Sequence, residues 1–181
     1  LRATIQTAFW IATVVVVLGS GPATAQGRYN LMLTAAGGVG GSIDEDAAGF
    51  GNSVFQLGVL TELNEHSLLA LRVGRLSFGS SDTLGSLTDP SVDYATVGGE
   101  YRYDEGAYTS GLFLGLGAYR LEGLIGGSRE DETAFGVNLG ASGIFDINKR
   151  VSLLAEISAH LLNSDIAETF VLALGGIAIH I

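Results

Sequence analysis

The sequence predicts an all-β chain: an eight-stranded antiparallel up-and-down transmembrane β-barrel that follows a cleaved signal peptide. Three observations carry this. Apolar residues recur with period 2 in eight stretches. Each stretch is about 11 to 14 residues, longer than the roughly 5 or 6 usual in soluble strands and enough for a tilted strand to cross a bilayer. Short and long connections alternate, as they do when strands run up and down through a membrane.

The first 25 residues stand apart from this pattern. Arg2 supplies a positive start, "AFWIATVVVVL" (8–18) an apolar run, and Ala23-Thr24-Ala25 a small-x-small cleavage site. The run is too short to span a bilayer, which takes about 20 residues. Residues 1–25 therefore read as a signal peptide and 26–181 as one barrel domain. Without cysteine there is no disulfide framework, lipobox, thiolate metal site or thiol nucleophile. A mean hydropathy of +0.38 beside a net charge of −10 points to apolar surface facing lipid, with charge confined elsewhere. Removing Arg2 from the 9 basic residues leaves 8 against 19 acidic ones, which argues against nucleic acid as a partner.

The strands are expected at 28–39, 52–63, 67–78, 92–103, 107–120, 133–146, 150–162 and 168–181. In the second, Phe55, Leu57, Val59 and Leu63 oppose Gln56, Gly58 and Glu62. In the fourth, Ala95, Val97, Tyr101 and Tyr103 oppose Tyr94, Thr96, Gly98, Glu100 and Arg102. In the fifth, Leu112, Leu114, Leu116 and Ala118 oppose Gly111, Phe113, Gly115 and Gly117. In the sixth, Phe135, Val137, Leu139 and Ala141 oppose Gly136, Asn138, Gly140 and Ser142. Successive strand side chains point to opposite faces, so each stretch is a two-faced strand. Tight turns fall near Asn64–His66, Asp104–Gly106 and Ile147–Lys149. Longer polar loops are expected at 40–51, 79–91 and 121–132, and a shorter one near 163–167.

In lipid every backbone N–H and C=O needs a partner within the protein, so such strands must close into a ring. Eight strands leave an interior that side chains fill. The inward face would hold Asn30, Thr34, Gln56, Glu62, Arg72, Thr96, Glu100, Arg102, Asn138, Ser142, Ser152, Glu156, Ser158 and His160, with many glycines. Arg72, Arg102, Glu100 and Glu156 are expected to neutralise one another across the lumen, because buried charges are tolerable when paired. Tyr29, Tyr101, Tyr103 and Tyr108 near one end, and Phe78 and Tyr119 near the other, are expected to face outward as interfacial girdles.

The strand "VSLLAEISAHLLN" (151–163) poses one chemical question, since Glu156 and His160 interrupt an apolar run. On a strand they share a face but stand roughly 13 Å apart, too far to share a proton or a metal ion. They read as separate rungs of a polar filling. The acidic clusters Asp44-Glu45-Asp46 and Glu130-Asp131-Glu132 read as solvated loops, with divalent-cation binding the alternative.

At this point the chain resembles the outer-membrane β-barrel domain family, the small eight-stranded barrels like the transmembrane domain of outer membrane protein A. The resemblance rests on the signal peptide, the eight alternating strands, the glycine-aromatic strands "GLFLGLGAYR" and "VGGEYRY", and the final strand "TFVLALGGIAIHI". The family usually ends in an aromatic residue; here Ile177, Ile179 and Ile181 keep the alternate apolar pattern. The resemblance implies a bacterial outer-membrane location with both termini in the periplasm. It implies outer-membrane lipid and lipopolysaccharide as surroundings, the barrel assembly machinery during insertion, and a monomer. Some barrels of this size act on lipid A with a His-x-Ser pair and a Glu. Here His160 is followed by Leu161 and Leu162, His66 sits in a turn, and His180 is next to the last residue. No enzymatic activity, metal or cofactor is expected. The expected role is structural or surface-interacting through the extracellular loops. The alternatives are a narrow channel or carrier for small or apolar solutes, and a soluble lipocalin-like barrel.

Overall fold

A computed structural model describes residues 31–43, 51–79, 83–84, 87–104, 108–125, 127–164 and 169–181. The signal peptide, Tyr29, Asn30 and the Asp44-Glu45-Asp46 cluster lie outside the described residues, as does most of the Asp104–Gly106 turn. The strands are β1 (Leu31–Ser42), β2 (Asn52–Glu62), β3 (Ser67–Ser77), the two-residue β4 (Thr83–Leu84), β5 (Leu87–Asp104), β6 (Tyr108–Ile125), β7 (Ser128–Asp146), β8 (Val151–Asn163) and β9 (Thr169–His180). All pairings are antiparallel. Each barrel strand pairs with the next, and β1 pairs with β9 from Met32↔His180 to Ser42↔Phe170. β3 pairs directly with β5. The result is a closed eight-stranded up-and-down barrel, with β4 a short appendage on β5.

The alternation read from the sequence is the alternation of burial. In β8, Ser152, Leu154, Glu156, Ser158 and His160 are buried while Leu153, Ile157 and Leu161 are exposed. Outward residues such as Leu114, Leu116 and Phe135 are 61%, 66% and 72% exposed. A wall this apolar has no counterpart on a water-soluble surface. It also excludes the lipocalin arrangement, which would put the apolar set inside.

At the turn end, Asn64 and Asn148 shape the two described hairpins. The Asn64 Oδ1 accepts from the His66 amide at 3.0 Å, and the Asn148 Oδ1 accepts from the amides of Arg150 and Val151. Such Asx contacts satisfy backbone groups that no strand can reach.

Three expectations are corrected. Residues 121–132 are not a loop: β6 and β7 stay paired to Ile125↔Ser128. The stretch 79–91 likewise contains β4 and the start of β5. In both stretches glycine, serine and charged residues interrupt the apolar alternation, so the sequence reads there as loop although the backbone stays paired. Thirdly, Glu62 is exposed where β2 enters its turn, not buried in the lumen.

Candidate functional site

The lumen holds a polar network bounded by apolar residues at either end. Toward the turns lie Met32, Leu60, Leu68 and Leu154; toward the other mouth lie Leu76, Val92, Leu121 and Phe170, all buried. Between them, Arg72 occupies the centre. Its Nη2 is 2.6 Å from Glu100 Oε2 and its Nε is 3.1 Å from Glu156 Oε2. The guanidinium lies over the Phe113 ring, 4.2 Å from the centroid. Arg102, two residues along the same face of β5, donates from Nε to Glu100 Oε1 at 2.9 Å, and Ser142 donates to the same oxygen at 3.0 Å. Gln56 donates to Glu156 at 3.1 Å and accepts from the Tyr94 hydroxyl at 2.9 Å.

Four of the five lumen residues singled out in the sequence are thus joined: Arg72, Glu100, Arg102 and Glu156. Two positive and two negative charges balance. The network stays polar because each carboxylate also collects neutral hydrogen bonds. Glycines make the room: a Cβ on Gly111 would meet both Glu100 and Ser142. Sequence reading missed Gln56, Tyr94 and Phe113 as partners, because parity shows which face a residue takes but not which neighbour it meets.

His160 belongs to a different set. Its Nδ1 is 3.0 Å from the Tyr119 hydroxyl and its Nε2 is 3.1 Å from Ser158 Oγ. A singly protonated ring satisfies both contacts, one nitrogen accepting and the other donating. Glu156 has other partners altogether, so no acid–imidazole pair exists. Tyr119 and Phe78, expected in an outward girdle, are instead buried inside. Both continue the inward parity of their strands, Tyr119 after Gly115 and Gly117, Phe78 after Arg72 and Leu76. Tyr101, Tyr103 and Tyr108 do face outward and are about half exposed.

Above the polar network, Leu76, Val92, Tyr94, Tyr119, His160, Phe170 and Leu172 enclose a gap of about 10 Å³. One water molecule would barely fit.

Near the turns, the fully buried Ser152 donates to Asp146 Oδ1 at 2.6 Å and accepts from His180 Nε2 at 2.8 Å. The serine sits between acid and imidazole. A nucleophilic relay needs the imidazole in the middle. On the outer wall near the other mouth, Arg75 pairs with Asp93, Arg120 with Glu122 and Asp131, and Arg129 with Glu122. These pairs, all but Arg120–Glu122 joining adjacent strands, cap the apolar wall with a polar band. Glu130, Asp131 and Glu132 lie along β7, so Asp131 faces away from its two neighbours and the three cannot converge on one cation.

The closed eight-strand ring, the outward apolar wall and the filled lumen invite comparison with solved barrels. Neisserial surface protein A superposes with a TM-score of 0.72 at 14% identity, covering 86% of this chain and 100% of that one. The fold is that of the small outer-membrane β-barrels. A second such barrel, the N-terminal domain of OprF from Pseudomonas aeruginosa, gives 0.63 at 11% identity over 86% of this chain and 100% of that one. The attachment invasion locus protein of Yersinia pestis gives 0.55 at 18% identity, over 82% and 98%. No family model and no curated protein matches the sequence. At these identities the likeness to outer-membrane barrels is one of architecture.

Within this outer-membrane barrel fold, the Tyr119–His160 contact has a defined weight. Tyr119→Phe removes one hydroxyl and leaves His160 Nδ1 unpartnered in the lumen. Stability is expected to fall by about 1 to 2 kcal/mol, read from a urea titration of the folded protein.

Proposed function

We propose that this chain is a small integral protein of the bacterial outer membrane that acts through its outer surface, as a structural or interacting component of the envelope. The filled lumen carries this reading: a barrel whose interior is closed by Arg72, Phe113, Tyr94 and Tyr119 has its exposed ends left to work with. The apolar outer wall supports membrane residence, and the solved barrels of like architecture are outer-membrane proteins. Its short-turn end, with Leu31 and Ile181 joined by a backbone hydrogen bond of 2.9 Å, would face the periplasm. The long-strand end would face outward. Lipid and lipopolysaccharide would contact the wall, the barrel assembly machinery would insert the chain, and the folded protein would be monomeric.

Three measurements test this. Detergent-extracted protein should migrate differently on a gel when folded and when boiled. Protease added to intact cells should cut the long connections and spare the 147–150 turn. In a planar bilayer the purified barrel should pass no steady current. Recovery in the soluble periplasm, or cleavage only at the short turns, would overturn the location or the orientation. A steady conductance would replace the filled-lumen reading with that of a narrow channel.

A further inference from the structure

β5, β6 and β7 outrun the rest of the barrel, with β5 and β6 paired as far as Thr88↔Leu124. β7 pairs with β8 only as far as Phe135↔Asn163, while its pairing with β6 continues to Ile125↔Ser128. Residues 128–134 therefore stand above the rim with β6 on one side and, among the described residues, no strand on the other. The opposite margin of the same projection carries the two-residue β4, paired with β5 at Thr83↔Thr88 and Leu84↔Leu87, so no long stretch of β5 is open there among the described residues. One row of backbone N–H and C=O groups on β7, about 23 Å long, is left without a strand partner among the described residues.

Exposed edges are blunted by proline, a bulge or charged side chains, lysine above all; here only charge applies, through Arg129, Glu130, Asp131 and Glu132, and it selects for a partner of complementary charge. The segment "SREDETA" has neither proline nor lysine, and its register with β6 runs without a shift. Its side chains divide by face. Arg129 is held by Glu122 and Asp131 by Arg120. Glu130 and Glu132 lie on the other face and form no ion pair among the described residues. They repeat at every second residue, about 7 Å apart, which is the spacing of one face of an extended chain.

We propose that the free edge of β7 at residues 128–134 accepts an extended basic peptide segment of another protein as an added strand. Backbone hydrogen bonds would hold the segment, and alternate Lys or Arg side chains would meet Glu130 and Glu132. A second copy of this chain fits the edge badly. Antiparallel self-pairing about Asp131 would set Glu130 opposite the other copy's Glu132, and like charges directly opposite are destabilising. The proposal names the kind of partner for the surface role proposed above, and it rests on that reading only for the claim that this edge lies outside the cell.

The test uses the full barrel refolded in zwitterionic micelles. A nine-residue capped peptide alternating lysine with valine or threonine is titrated in, and backbone amide signals and hydrogen exchange are followed. Binding should shift the signals of residues 128–134 and slow exchange at alternate amides there. Glu130→Gln with Glu132→Gln should weaken binding by about three- to tenfold, the size expected for two exposed ion pairs. The same peptide N-methylated along one edge should not bind. Equal binding of the methylated peptide, protection centred elsewhere, or no binding at millimolar peptide overturns the proposal. So does edge protection that appears without peptide as the barrel dimerises. None of these results depends on where the protein sits in a cell, so they are separable from the protease and fractionation results.

Discussion

Replacing Arg72 with alanine is expected to cost the barrel about 3 to 5 kcal/mol of unfolding free energy. The loss is large because one side chain serves three partners. It neutralises Glu100 and Glu156, and its planar face rests on Phe113. Removal leaves Glu156, among the described residues, with only the neutral Gln56 as a side-chain donor, in a space flanked by apolar residues above and below. Glu100 fares better, keeping Arg102 and Ser142. The consequences are therefore ordered. Glu156→Ala should cost less than Arg72→Ala, a few kcal/mol at most, because Arg72 retains Glu100. Adding Glu156→Gln to Arg72→Ala should recover part of the loss by removing the stranded charge. Urea titration of vesicle-reconstituted protein, followed by far-ultraviolet dichroism and by the folded band on a gel, gives all three values. A loss below about 1 kcal/mol for Arg72→Ala would show that water enters the lumen and screens the network.

The second large effect is expected at a glycine. Gly98 faces the lumen on β5, opposite Gly115 of β6. A Cβ placed there would collide with the Leu114 carbonyl oxygen and the Gly115 Cα, both backbone atoms of the adjacent strand. No rotamer relieves a clash with backbone, so two strands must part. Gly98→Ala should cost about 3 kcal/mol, the upper range for overpacking, and lower the folded yield. The next residue supplies the control. Gly99 faces outward with nothing within 4 Å of its added Cβ. Gly99→Ala should lie within about 0.5 kcal/mol of the parent. If the two variants unfold alike, close strand approach at Gly98 is not what its missing side chain permits.

The strand cores and their two faces were legible because a strand repeats every second residue and lipid demands a continuous apolar face. That parity alone placed Glu156 and His160 in the lumen and Leu153 and Ile157 outside. Tyr119 was legible too, by the same parity, but its place near a strand end suggested an interfacial ring. Its hydroxyl found a buried partner, His160, that only the curvature of the closed sheet brings near. The projecting hairpin was hidden for a different reason. Toward the ends of β6 and β7 glycine and charged residues break the alternation, and charge read as loop. What holds that hairpin is cross-strand pairing, Arg120 with Asp131 and Arg129 with Glu122, and a one-dimensional pattern does not display such pairs.

The seam between β1 and β9 also constrains the order of events during synthesis. β1 emerges first among the described strands, and one of its two margins waits for β9, the last. Until then the chain is a curled ribbon with two sticky borders, which a hydrocarbon interior will not admit. Helices can enter a bilayer one after another; these strands cannot. The chain must be kept unfolded, or guarded at both borders, until its final strand has been made. Insertion and completion then become a single event, and a chain interrupted before β9 has no partial form suited to lipid.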